Sequence, residues 1–183
     1  VPEVLARFKK RYPDVELVFR DLIVEDLKQM FKENAVDFMV SNFLEELPDT
    51  VYHEIAKEPV LLALPDTHPA IQYAYPVEGD VFRHLDFSHL DWESFIVPLP
   101  NQSMRRTADR LFRENHIPPK RLIEIAHFDI IMSMVNQGMG VGFNRLGYLP
   151  DMQKFEHVRY FLINQEVETS GFKLAYRKGH TLS

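Results

Sequence analysis

Cysteine is absent from the 183 residues, which excludes disulfides, thiolate metal sites and a cysteine nucleophile. No apolar run approaches the length of a membrane span, and no signal peptide opens the chain. Basic charge is short as well: 21 lysines and arginines stand against 27 acidic residues, a net charge of −6. A chain of that sign is poorly suited to gripping nucleic-acid phosphates, so any DNA contact needs a basic segment elsewhere. The signatures of common catalytic sites are missing too. There is no G-x-S-x-G elbow, no H-E-x-x-H pair and no P-loop, and His68 and His127 have no nucleophile evident in sequence. The plain expectation is a soluble, cytoplasmic protein that is not an enzyme and needs no cofactor.

What is present is an alternation of helix and strand patterns, and 45% hydrophobic residues supply an ample core. Val1 to Tyr12 reads as an amphipathic helix with Lys9, Lys10 and Arg11 in its last turn, where the helix dipole favours them. Pro13-Asp14 breaks it, and Val15 to Phe19 reads as a strand. Glu25 to Lys32 is a second helix, Asn34 a left-handed-tolerant stop, and Val36 to Val40 a strand ending at Ser41-Asn42. Helix, strand, helix, strand implies a parallel sheet with crossover helices. Val51–Ala56 and Pro59–Leu64 are two further strand-like runs, and Ile71–Asp91 is expected to be a long surface loop. Phe95–Pro98 and Arg121–Ala126 read as strands around a helix from Met104 to Asn115, N-capped by Ser103 with Leu111 and Phe112 inward. His157–Ile163 and Phe172–Tyr176 are the last strands.

The stretch Ile125–Arg145 organises the rest. Phe128, Met132 and Val135, with Ile131 beside them, make one apolar helical face, and Ile130 and Met134 make a second. A helix greasy on two sides must be covered twice. Gly138 stops it, and Met139–Phe143 has the small and branched residues of a buried strand with Asn144 and Arg145 at its exit. Elsewhere, His84, Asp86, His89 and Asp91 have ligand types that zinc takes, but such clusters in long loops are mostly solvated, and no metal site is expected.

Four segments together resemble the effector-binding domain of LysR-type transcriptional regulators: Leu5–Leu17, Glu25–Val40, P-V-L-L-A-L-P-D-T-H-P-A from Pro59 to Ala70, and M-V-N-Q-G-M-G-V-G-F from Met134 to Phe143. The resemblance spans nearly the whole chain. It implies an α/β fold of two Rossmann-like lobes joined by two crossover strands, of the type II periplasmic-binding-protein kind. The lobes would be residues 1–62 with 169–183, and 63–168, with crossovers near Leu61–Leu64 and Glu168–Phe172. A winged helix-turn-helix upstream, and the first strand and last helix of the first lobe, would lie outside these residues. The implied function is sensing of a small-molecule effector between the lobes and transmission to the DNA-binding domain. A transport-type solute-binding protein of the same architecture is the alternative, and an enzyme on this fold a second.

By the same resemblance, ligand-binding residues lie at strand exits and helix starts: Ser41, Asn42, Gln102, Ser103, Phe128, Asp129 and Asn144. Side-by-side dimers of relatives suggest Ile130, Met134, Leu5 and Phe8 as interface residues in a homodimer or tetramer. Two departures stand out. Leu22-Ile23-Val24 replaces a glycine and small hydroxyl residues, which suggests a partly apolar pocket. Arg145 replaces an apolar-plus-proline ending; it could pair with a ligand carboxylate, but a surface position is the preferred reading.

Overall fold

The computed structural model describes residues 2–41, 47–91, 93–148, 154–163 and 169–179. Helix α1 (Pro2–Arg11) carries Glu3 in its first turn and three basic residues in its last. The strand expected at Val15–Phe19 does not form. Val18 and Phe19 are 71% and 66% exposed, and no strand pairs with the segment among the described residues. A lone strand has no partner for its backbone groups, so its pattern alone cannot hold it extended in a sheet. Helix α2 (Val24–Lys32) and strand β1 (Phe38–Ser41) follow, and Asn34 between them takes the left-handed conformation, with φ 59°. Phe31, Met39 and Ala175 form a small core here. Arg177 closes the end of α2: its guanidinium lies 4.7 Å from the Phe31 ring centroid and donates to the Phe31 carbonyl at 2.8 Å.

The two strand-like runs after residue 50 are one 16-residue strand, β2 (Thr50–Pro65). It absorbs a register shift between Glu54 and Ala56 instead of turning. From Thr50 to Pro59 it pairs antiparallel with β8 (Thr169–Arg177), whose other edge carries β1. From Val60 onward its neighbours change to β6 (Gly142–Arg145) and β7 (Val158–Ile163), both antiparallel. Strand β1 is therefore antiparallel to its neighbour, and among the described residues the expected parallel sheet at the start of the chain does not form.

Parallel pairing appears further on, where β4 (Ser94–Val97) lies beside β5 (Arg121–Glu124). A parallel bridge from Phe95 to Val141 ties β4 to the start of β6. Helix α3 (Ser103–Glu114) connects β4 to β5, and α4 (Phe128–Asn136) leads from β5 to β6. Phe87, Phe95, Phe112 and Phe143 pack with ring centroids 4.7–6.0 Å apart in the larger core. The segment expected as a surface loop, Ile71–Asp91, contributes to that core. Leu85, Phe87 and Leu90 are buried, and a short strand, β3 (His84–Leu85), pairs with β7 between two 3-10 turns. Its polar residues are used locally: His84 meets Asp80 at 2.6 Å, Asp86 accepts from the Ser88 N–H, and His89 stacks on Tyr73.

Candidate functional site

Three chain segments leave the sheet at one end. Residues 98–102 lead from β4 into α3, residues 125–127 from β5 into α4, and the 3-10 turn Leu146–Tyr148 follows β6. Beyond the carboxyl ends of parallel strands, an α/β sheet leaves a crevice that its helix starts face. Here that crevice is a cavity of about 230 Å³. Pro98, Met104, Ala126, Phe128 and Ile131 give it apolar walls, while Gln102, Ser103 and Arg145 bring polarity, and Tyr148 both. Phe128 and Tyr148 form one side, their rings 5.5 Å apart.

The position of α3 is fixed by side chains behind it. Arg105 donates from Nε to Asp109 at 2.8 Å and from a terminal nitrogen to the Pro98 carbonyl and to Glu124. Burial lowers its pKa, but the hydrogen bonds to Asp109 and Glu124 outweigh that and leave it raised. Gln102 braces the cavity wall: its amide oxygen accepts from Leu99 N at 2.9 Å and its Nε2 donates to the Ala126 carbonyl at 3.1 Å. Gln102, not Ser103, is the residue at the N-cap, and its own side chain makes no capping hydrogen bond. Ser103 is the first helical residue and lines the cavity with the helix start, whose first N–H groups have no intrahelical acceptor.

Of the residues expected at the site, Gln102, Ser103 and Phe128 come together around this cavity. Asp129, next to Phe128, is exposed and not among the lining residues. Ser41 ends β1 opposite Lys173, away from the lining set. Asn42 lies outside the described residues. Asn144 is fully buried inside β6 opposite Leu61 and accepts from the Arg145 N–H at 2.7 Å. Its Nδ2 has no hydrogen-bond partner among the described residues, although it lies near enough to the Tyr160 hydroxyl to favour its ionised form. Burial dominates at Tyr160 and raises its pKa. Of the expected interface residues, Ile130 is 44% and Phe8 38% exposed, whereas Met134 and Leu5 are half-buried and Met134 packs on the core.

Arg145 corrects the reading that set it on the surface. It is only 3% exposed, lies within β6 rather than beyond it, and lines the cavity. Burial lowers its pKa, while Tyr148 and the carboxylate of Glu58 work to raise it. Alternation gives the signal that finds this residue: in V-x-F-x-R, Arg145 shares a strand face with Val141 and Phe143, both core residues. Tyr148, Pro98 and Met104 had no such signal.

The sequence pattern of the LysR substrate binding domain matches residues 1–183. The chain belongs to this family. This LysR-type domain is 26% identical over 140 residues to the HTH-type transcriptional regulator CfxR of Cupriavidus necator, which covers 76% of the chain and 41% of CfxR. It therefore spans less than half the length of that relative. Among solved structures, it resembles the regulatory domain of Synechocystis CcmR in complex with 2-PG, with a TM-score of 0.82 at 18% identity, covering 100% of this chain and 83% of that one. The effector binding domain of QuiR in complex with shikimate gives a TM-score of 0.76 at 19% identity, covering 100% and 82%. These likenesses establish the LysR effector-domain fold, which is of the type II periplasmic-binding kind.

Proposed function

We propose that this domain is the ligand-sensing part of a cytoplasmic transcription regulator and binds its effector without converting it. The observation that carries the proposal is the cavity at the ends of β4, β5 and β6 in a chain of this family. At about 230 Å³ it is smaller than the 300–1,000 Å³ of sites for drug-sized molecules, which points to a small metabolite. CcmR and QuiR, whose folds are similar, hold 2-PG and shikimate.

In this reading residues 1–62 with 169–183 form one lobe and 63–168 the other. The change of β2's partners between Pro59 and Val60, three residues before that boundary, supports a division in this part of the strand. Ser41, Asn42 and Asp129 would then contact the effector only in a closed arrangement, whereas the fully buried Asn144 would first have to be uncovered. Effector binding shifts the lobes because the ligand favours one arrangement over the other. A homodimer or tetramer packed through Ile130, Met134, Leu5 and Phe8 carries that shift to a DNA-binding domain outside these 183 residues.

A thermal-unfolding screen of the domain against small carboxylates, amino acids, aromatics and sugars tests the proposal. A true effector at 100 times its dissociation constant adds about 2.7 kcal/mol of stability. A folded domain that no compound stabilises would overturn it.

A further inference from the structure

Strand β2 carries Glu54 and Glu58, and each lays its carboxylate against a glycine. Glu54 packs on Gly171 of β8, where an added Cβ would lie 3.2 Å from its Oε2. Glu58 packs on Gly147, in the turn Leu146–Tyr148, so closely that a Cβ there would collide with the carboxylate. The two contacts join different parts of the molecule. Strand β8 pairs with β2 as far as Pro59, so the Glu54 contact stays within one proposed lobe. The turn follows β6, which becomes a partner of β2 from Val60 onward, so Glu58 reaches across the place where β2 changes neighbours. Arg145, buried and opposite Val60, lies in the field of the Glu58 carboxylate. Both Arg145 and Tyr148 line the cavity. A three-residue turn therefore has the cavity on one side and the crossover strand on the other, and Gly147 between them has no side chain to hold the two apart.

We propose that Glu58 couples the cavity to the crossover: seated on Gly147 beside Arg145, it locks the cavity-side turn to β2, so that a displaced cavity wall changes the angle at which β2 passes between the lobes. Coupling of this kind needs packed groups with two discrete arrangements. A half-buried carboxylate has them, seated on the glycine or swung out to water. Seated, it fixes the lobes in one arrangement; released, it frees the crossover. The inference rests on the two-lobe sensing reading above and deepens it by naming the residue through which that site is regulated.

Spin labels on Lys32→Cys of α2 and Arg113→Cys of α3 report the angle between the lobes, and the cysteine-free chain keeps the labelling clean. Glu58→Gln, which keeps the shape and removes the charge, shifts or broadens the distance distribution. Gly147→Ala, which unseats the carboxylate, does the same, and the two together do no more than either alone because they break one contact. Glu54→Gln leaves the distribution unchanged. Tyr148→Ala, which alters the cavity wall, shifts the distances in the unsubstituted chain and not in Glu58→Gln. Hydrogen exchange at the Leu146, Gly147 and Tyr148 amides speeds up about fivefold in Glu58→Gln, the factor a partly exposed charged contact is worth. If Gly147→Ala does not fold, the isosteric Glu58→Gln decides alone. Distances unmoved by Glu58→Gln overturn the coupling, even where the unfolding midpoint falls, since that is the mark of a merely structural contact. An equal shift in Glu54→Gln overturns it too, as does a Tyr148→Ala shift that persists in Glu58→Gln. Any of these results leaves the sensing reading intact if the thermal screen finds a stabilising compound, and a screen without one overturns that reading separately.

Discussion

A methyl group is the smallest side chain that could be added at Gly140, and the turn into β6 has no room for it. A Cβ there would lie 2.5 Å from the Ser94 carbonyl oxygen, in the strand to which Val141 is hydrogen-bonded. Gly138, two residues earlier, faces open space and is constrained only by its φ of +75°. It ends α4 in a paired-bond cap: the Met139 N–H donates to the Met134 carbonyl at 3.1 Å and the Gly138 N–H to Val135 at 2.9 Å. Gly140 also has a positive φ, +157°, so the pair separates the backbone penalty alone from that penalty joined to a clash. Gly138→Ala should lower stability by about 1–2 kcal/mol, the left-handed penalty alone. Gly140→Ala should cost about 1–3 kcal/mol through displaced backbone and should also disturb β6, and with it Arg145. Denaturant melts of both variants, with hydrogen exchange at Leu146–Tyr148 in the second, check this.

Helix α3 shows how an element carries a site it does not complete. Met104, Ala108, Leu111 and Phe112 recur at helical spacing and are all buried, which sets the helix's rotation. Arg105 then sets its depth through Asp109, Glu124 and Pro98. Arg105→Ala should destabilise the domain by about 1–3 kcal/mol, because the partner carboxylates are half-exposed and recover some hydration. It should also weaken any effector that contacts Ser103, measurable by calorimetry. The helical and glycine signals in the sequence foretold α3, α4 and its cap well, since each rests on contacts within a few residues. Strand partners were less legible. Val15–Phe19 has a strand's composition and no strand beside it among the described residues, β2 reads as two strands because its exposed middle looks like a turn, and the 71–91 segment hides its buried Leu85, Phe87 and Leu90 among polar residues. At the site, Gln102, Ser103 and Phe128 could be found because helix starts are visible in sequence. The inward face of Arg145 depends on where β6 ends, and the strand runs through Arg145 instead of stopping at Phe143 as the pattern suggested.

At the scale of the molecule, two kinds of tie hold the proposed lobes to each other. One is an ion pair: Arg106 of α3 donates to Glu25 of α2 at 2.9 Å across 81 residues of sequence. Both side chains are partly exposed, so Glu25→Gln should cost less than about 1 kcal/mol, and the difference should fade in high salt. Spin-label distances between α2 and α3 should broaden in that variant if the pair restrains lobe motion, and stay unchanged if it does not. The other tie is covalent. Strand β2 runs unbroken through both pairings, so its length is shared property. Deleting one residue between Ala56 and Val60 would leave one half in register and turn every side chain of the other half to the opposite face. Insertions and deletions arising in this strand during evolution would therefore survive at one place above all, the offset between Glu54 and Ala56, where an extra residue is already accommodated.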